Sequence, residues 1–308
     1  MKKVFRWLLF VICWLLIACA PSTFEETSIY KREGRYPQPP ELKTNLAWVV
    51  LEWNGKLVFD KNLNLVQGGY GSGFLGSKEK GFFYSNKHVT DTFKSLGGHS
   101  HKIFFNGRIY NAAIVQNSLL FDAAVFKITD PFDSSDFPDP ELLGKEKVMV
   151  GEKLFIEGFH PHPYEVRRTD QENGVRHLVI PIFRDYYQVV RTKTDRYTEV
   201  VYEKLEATAV KIDVKVKIEG GREANYILAK TARNHLFSFG GLSGSRVKNK
   251  KGEVIGIFTG ETSKTEVDPK SYDHSTDSFA IKEPIFDQVL ITPMELLRDL
   301  QNLMEKAN

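Results

Sequence analysis

Gly71-Ser72-Gly73-Phe74-Leu75, followed after a polar break by Gly81-Phe82-Phe83-Tyr84-Ser85-Asn86-Lys87-His88-Val89, is the stretch on which the reading of this chain turns. Both segments have the length and apolar content of short strands, and the second ends on a histidine. An imidazole titrates near neutrality, so it can take a proton from a hydroxyl and return it to a leaving group. By itself a histidine after a strand is more often structural, so the meaning of His88 depends on what the rest of the chain brings to it.

Around this stretch, short apolar or alternating runs are cut by turn residues from Ala47 onward. Trp48-Val49-Val50-Leu51 and Lys56-Leu57-Val58-Phe59 flank Asn54-Gly55, and Ile103-Phe104-Phe105 and Ile109-Tyr110 flank Asn106-Gly107. Asn-Gly supplies the two positive φ angles of a tight hairpin turn. Further strands are expected at Ala124 to Ile128, Leu154 to Glu157, Leu178 to Ile182, Glu199 to Glu203, Val210 to Ile218 and Val254 to Thr259. No long helix is expected before the end, where Thr292-Pro293-Met294-Glu295 has a capping-box sequence with proline at the first helical position. Met294, Leu297, Leu300 and Met304 mark its apolar face. The pattern predicts a mostly antiparallel β protein with a terminal helix.

Two further segments carry chemistry. Phe121-Asp122-Ala123-Ala124-Val125-Phe126-Lys127-Ile128 sets a carboxylate just before a strand, where an aspartate capping a turn is the plainer reading. Gly240-Gly241-Leu242-Ser243-Gly244-Ser245, followed by Gly252-Glu253-Val254-Ile255-Gly256-Ile257-Phe258-Thr259-Gly260, sets a serine among glycines. Glycines permit a sharp backbone turn that aims consecutive N–H groups at one point, although a glycine-rich hairpin looks similar.

Together the three segments resemble the trypsin-like serine peptidases, most closely the HtrA-type bacterial branch. Gly-Ser-Gly-Phe and Asn-x-His-Val, the Asp-x-Ala-Val strand and the Gly-x-Ser-Gly loop occur in that family's order of His, Asp and Ser. The likeness extends to Val150-Gly151-Glu152-Lys153-Leu154-Phe155-Ile156-Glu157-Gly158 and to Ser278-Phe279-Ala280-Ile281, covering roughly residues 46 to 305. It implies an all-β fold of two six-stranded antiparallel Greek-key barrels with a C-terminal helix. It also implies His88 as general base, Asp122 as the carboxylate that orients it, Ser243 as nucleophile, and the Gly241 and Ser243 N–H groups as oxyanion hole. No cofactor or metal is expected, and the partner is a protein or peptide substrate.

By the same alignment Phe237 is expected at the base of the primary specificity pocket, with Thr259, Gly260, Glu261 and Ser278 near its walls. An apolar base favours a small or apolar side chain before the cleaved bond, whereas Glu261 would attract a basic one. The apolar preference is the one expected. Arg246 stands where a proline commonly follows the nucleophile loop, and Leu242 replaces the aspartate that digestive enzymes use to bind a new amino terminus. Residues 159 to 235 have no counterpart that aligns and are expected to shape substrate access or hold a partner. His160-Pro161-His162 in that region has no third ligand nearby in sequence, which argues against a metal.

Lys2, Lys3 and Arg6 precede the apolar run Trp7 to Ala18, which is too short for a transmembrane helix of about 20 residues. The run closes on Leu16-Ile17-Ala18-Cys19, which resembles the bacterial lipobox. Cys19 is therefore the expected lipidated residue and membrane anchor, in a cell-envelope protein facing the periplasm or the cell surface. The chain of 308 residues has a formal charge of +3, and without those three cations it carries 39 basic against 39 acidic residues, so no nucleic-acid partner is expected.

The expected organisation is a signal peptide at 1–18, a proline-containing tether at 19–45 and a peptidase domain at 46–308. Within that domain an N-barrel spans about 46–140, a C-barrel about 146–290 and a helix about 292–306, leaving no room for a PDZ domain. The alternative is a non-catalytic surface lipoprotein that uses the same fold to bind a host or envelope protein.

Overall fold

The computed structural model describes residues 30, 33–60, 65–91, 98–118, 121–187, 198–217, 223–235, 237–264, 267–273, 278–281, 285–298 and 300. The expected signal peptide and Cys19, the expected site of lipidation, lie outside the described residues, among which no helix is long and apolar enough to cross a membrane.

Ten short strands precede a long one. β1 (Leu46–Trp53), β4 (Gly69–Ser77), β5 (Phe82–Ser85), β6 (His99–Phe105), β7 (Arg108–Asn117) and β8 (Ala124–Ile128) close into an antiparallel barrel in the order β1-β4-β5-β8-β7-β6. β2 (Val58–Phe59) and β3 (Leu65–Gln67) form a small separate ribbon, and a single helical turn, α1 (His88–Asp91), follows β5. The second half contains β9 (Lys153–His162), helix α2 (Tyr164–Glu172), β10 (Leu178–Ile180), β11 (Glu199–Lys217), β12 (Glu223–His235), β13 (Arg246–Lys248), β14 (Val254–Lys264) and β17 (Ile285–Pro293). Because β11 and β13 both pair with β9, the order β9-β11-β12-β17-β14-β13 returns on itself as a second ring. Numbered within each ring, both run first, second, third, sixth, fifth, fourth. This is the expected pair of Greek-key barrels, built twice on one topology, with β15 (Val267–Asp273) and β16 (Ser278–Ile281) as an attached ribbon.

The sequence of β1, Leu-Ala-Trp-Val-Val-Leu-Glu-Trp, does not alternate, and the reason is visible in the packing. Ala47 and Val49 face a cluster with Phe83, Phe105 and Phe126, while Trp48 and Val50 face another with Phe159, Phe183 and Tyr226 from the second half. A strand covered on both faces has no solvent side to reserve for polar residues. Both Asn-Gly pairs make the expected left-handed turns, with φ of 48° and 71° at Asn54 and Gly55 and of 48° and 76° at Asn106 and Gly107. Only the second joins two ladder strands. After Asn54-Gly55 the chain makes one bridge, Trp53 to Lys56, and leaves, because β4 and β6 already occupy both edges of β1.

Three expectations need revision. The folded part begins before residue 46: Tyr36 N–H donates to Gly107 at 3.0 Å, and Tyr36 and Leu42 are buried, so residues 33–45 strap the first barrel rather than tether it. Residues 159 to 235, which have no counterpart that aligns, are for the most part barrel, since they supply the end of β9 and all of β11 and β12. Among the described residues of this region, the stretch from α2 through β10 to a π turn at Ile182–Tyr186 lies outside the ring. That turn is held by Glu199, which accepts the Phe183 and Arg184 N–H groups at 3.2 and 2.5 Å. Burial pushes the Glu199 carboxyl up to about 8 against those two bonds. Finally, the expected strands at 199–203 and 210–218 are one strand, β11, which passes from β9 to β12 at Ala207 and Thr208 and pairs irregularly with β12 further on, around Asp213, whose φ is 55°. The terminal helix is described at 294–298 and 300, with Met294, Leu297 and Leu300 buried, while Met304 lies outside the described residues.

Arg246, the departure at the expected proline, is explained by a buried charge cluster. Its guanidinium makes bonds of 3.0 and 2.7 Å to one oxygen of Glu157 and also contacts Glu141 and Asn45, while Lys248 lies 2.9 Å from Glu141. Burial would raise both carboxyls, but Arg246 and Lys248 hold Glu157 and Glu141 below the usual range. Arg246→Ala should therefore cost about 3–5 kcal/mol, because it strands buried carboxylates. Urea denaturation monitored by tryptophan fluorescence measures this, and an unchanged midpoint would refute the role given to the cluster.

Candidate active site

β5 delivers His88 onto α1 at the rim of the first barrel, and the turn before β8 delivers Asp122 to the same place. Asp122 Oδ1 accepts the His88 backbone N–H at 2.9 Å, and its Oδ2 makes a short contact with His88 Nδ1. One carboxylate thus fixes both the backbone and the ring of the histidine. A hydrogen held on Nδ1 leaves Nε2 as the acceptor, and Nε2 lies 2.9 Å from Ser243 Oγ. The His88 side chain is about half exposed, so the line of three groups opens to solvent.

Ser243 sits on the loop between β12 and β13, where Gly241 and Gly244 take φ of 97° and 90°. A side chain on Gly241 would run into Pro161 and Trp48, and one on Gly244 would overlap the Ser72 carbonyl. Within this loop the Leu242, Gly244 and Ser245 N–H groups are spent on the Phe239, Phe258 and Leu242 carbonyls at 3.0, 3.0 and 2.8 Å. Among the described residues no backbone carbonyl accepts from the Gly241 or Ser243 N–H. Leu242 is buried in the second core, an apolar anchor in place of an ion pair.

Residues that segment-by-segment reading missed complete the site. Asn86, fully buried, donates to the Asp122 carbonyl at 2.7 Å and lies 3.4 Å from the Thr259 hydroxyl. Tyr226 reaches Asp122 from β12; burial pushes its phenol up, a hydrogen bond with the Asp122 backbone pulls it back, and the carboxylate adds to the rise. Ser72 ties the halves together. Its N–H donates to the Ser243 carbonyl at 2.7 Å, its hydroxyl accepts the Phe159 N–H at 2.8 Å, and its carbonyl accepts from Ser85 Oγ at 2.6 Å. Only Asn86 and Ser72 had a sequence signal, their positions in the segments quoted first.

The expected pocket residues divide. Thr259 Oγ1 is 2.7 Å from Thr292 Oγ1 and accepts the Thr292 N–H at 3.2 Å, so its hydroxyl is occupied within the barrel. Gly260 opens onto free space. The Glu261 carboxylate accepts from Ser238 Oγ and from Phe239 N–H, both at 2.5 Å. Ser278 pairs with Asp273 in the attached ribbon, and its side chain lies outside the described residues. Phe237 stacks on His160 at 5.0 Å and also meets His162 and His235. His160 and His162, which lack a third ligand in sequence, meet Glu203 of β11 in space. Burial alone would raise the Glu203 carboxyl, but hydrogen bonds with the two imidazoles hold it well below the usual range.

No family model and no curated protein matches the chain. Among solved structures it is similar to the Rv3671c protease in its inactive form, with a TM-score of 0.45 and 11% identity over 90% of this chain and 93% of that one. It is also similar to the active form of the M. tuberculosis protein, with a TM-score of 0.47 and 10% identity over 91% and 84%. At such distances the fold assignment rests on the strand pairing itself.

The seam between the barrels leaves no room for added atoms. A Cβ on Gly158 would overlap the Ser245 hydroxyl and come within 3.0 Å of Ser72 Oγ. Gly158→Ala should destabilise the protein by about 1–3 kcal/mol through overpacking. Thermal and urea unfolding test this, and a variant as stable as the wild type would mean that the seam relaxes freely.

Proposed function

We propose that this chain is a serine endopeptidase, hydrolysing peptide bonds through an acyl-enzyme on Ser243. The observation that carries the reading is the unbroken hydrogen-bonded line from Asp122 through His88 to Ser243 Oγ. In the acylation step His88 Nε2 takes the Ser243 hydroxyl proton as Oγ attacks the peptide carbonyl, then passes that proton to the departing amine. Asp122 stays ionised and stabilises the imidazolium. Gly241 and Ser243, whose amides have no backbone acceptor among the described residues, are the donors for the developing oxyanion, each worth roughly 3–4 kcal/mol in the transition state. Water repeats the sequence to release the acyl group.

The HtrA-type affinity and the lipid anchor at Cys19 belong to the same proposal and rest on sequence motifs. Activity in the envelope, on proteins reachable from a membrane-bound enzyme, follows from them. Ser243→Ala should lower casein or peptide turnover by roughly 10⁴-fold or more. A fluorophosphonate probe should label the wild type and not that variant. Absence of labelling in a folded wild type would favour the non-catalytic binding protein instead.

The substrate residue before the cleaved bond is small or apolar in this reading, because the Glu261 carboxylate is engaged by Ser238 and Phe239. In a peptide library, cleavage after alanine or valine should exceed cleavage after arginine or lysine. The reverse order would return Glu261 to the role of a specificity anion.

A further inference from the structure

The second barrel holds a cluster that the proposed hydrolysis does not use. His160 and His162 are two residues apart on β9 and so share one face of the sheet. Val201 pairs with His160, and Glu203, two residues further along β11, falls on that face as well. His160 is fully buried, His162 is 3% exposed, and the ligand atoms of His160, His162 and Glu203 all lie within 4.8 Å of one another. We propose that these three side chains form a binding site for one divalent transition ion of the zinc class, separate from the Ser243 centre.

Hydrogen accounting carries the inference. His160 Nε2 lies 2.9 Å from the Ser238 carbonyl, which can only accept, so Nε2 carries the hydrogen. The lone-pair nitrogen of the neutral ring is then Nδ1, and it faces Glu203 Oε2 at 2.5 Å. A lone pair and a carboxylate oxygen at that distance attract only with a positive charge between them, either a second proton on the ring or a metal ion. His162 Nε2 converges on the same Oε2 at 2.9 Å, and its Nδ1 is buried without a hydrogen-bond partner among the described residues. Two imidazoles aimed at one carboxylate oxygen make a His₂Glu donor set, and His235 Nε2 lies 3.8 Å from the other oxygen of Glu203.

The surroundings fit a metal ligand set. The Ser238 carbonyl on the far nitrogen of His160 is the outer partner that fixes the tautomer of a coordinating imidazole. The Phe237 ring stacks on His160 at 5.0 Å and meets His162 edge-on, an apolar wall against both imidazoles. Nitrogen and carboxylate donors suit zinc better than magnesium or calcium, which prefer all-oxygen shells. With bonds of about 2.0–2.1 Å, a tetrahedral ion separates its donors by about 3.4 Å. Its entry would therefore open the two contacts by less than an ångström. Ser238 belongs to the segment that leads into Ser243, so an occupied site would brace that segment through His160.

Competition with a chromophoric chelator measures zinc binding to the purified chain after stripping with EDTA and dialysis. One tightly bound equivalent is expected. Glu203→Gln and His162→Gln should each weaken it at least 10-fold, the range set by loss of a metal's supporting groups. His88→Ala should leave the affinity unchanged, which separates this site from the histidine of the proposed triad. Cobalt(II) on the wild type should give the visible spectrum of a four-coordinate nitrogen and oxygen site, a readout that needs no variant to fold. Sub-stoichiometric binding, a six-coordinate spectrum, wild-type affinity in both cluster variants or loss of binding in His88→Ala would overturn the proposal and leave the cluster bridged by a proton.

Discussion

Ser72 is where the two barrels become one object. Its N–H, hydroxyl and carbonyl all face partners across or along the seam, and it is fully buried, so each bond is made where water cannot replace it. A buried donor or acceptor left without its partner costs about 1–3 kcal/mol, so this one residue, through its backbone and its hydroxyl together, sets the relative position of β4, β9 and the Ser243 loop. The neighbours of Ser72 show how close that approach is. Gly71, Gly158 and Gly244 each lack room for a Cβ, and the atoms in the way include Ser243, Ser245 and Ser72 themselves. Small residues here serve proximity of backbones, whereas at Asn54-Gly55 they serve dihedral freedom.

That constraint matters because the candidate centre is divided between the barrels. His88 and Asp122 come from the first and Ser243 from the second, so the 2.9 Å between Nε2 and Oγ depends on the seam and on no local turn. Tyr226 of β12 crosses in the other direction to reach Asp122. Each half therefore holds a group belonging to the other, and a slip of about an ångström would break the hydrogen-bonded line. Displacements of that size cost oriented chemistry orders of magnitude in rate.

Much of this was legible in the sequence, and what was not shares a physical cause. Segments whose character is local, such as the two Asn-Gly turns, the strand Ala124 to Ile128 and the apolar face of the terminal helix, could be read from a few neighbouring residues. Residues 71 to 89, 121 to 128 and 240 to 245 mark positions that the fold brings within hydrogen-bonding distance. β11 was divided at Lys204 to Ala209, where Lys-Leu-Glu-Ala-Thr-Ala offers mostly charged and small residues rather than β-branched or aromatic ones, although this is where the strand hands over from β9 to β12. β12 was missed for a related reason: Glu223-Ala224-Asn225-Tyr226 carries polar residues on a face whose exposure only the finished barrel defines. Helix α2 has no buried residue, so it offered no apolar stripe to find.

The histidine cluster marks the limit of sequence reading most clearly. A pair spaced by one residue on a strand points both rings to one side, but nothing in the sequence says which strand lies alongside. Glu203 is 41 residues from His162 and becomes its neighbour only because β9 and β11 pair as the first two strands of the ring. The same pairing supplies the base under Ser238 and Phe237, the residues that lead into the Ser243 loop. The barrel that holds the proposed nucleophile is thus ordered from beneath by a charged, buried cluster on one side and by the Arg246, Glu157 and Glu141 network on another. Glu157 and Gly158, adjacent on β9, join these two demands: one receives the Arg246 guanidinium, and the other leaves the space that Ser245 and Ser72 fill. β9 therefore tolerates little change along its length, because its consecutive residues answer in turn to the ion-pair network, the seam and the imidazole cluster.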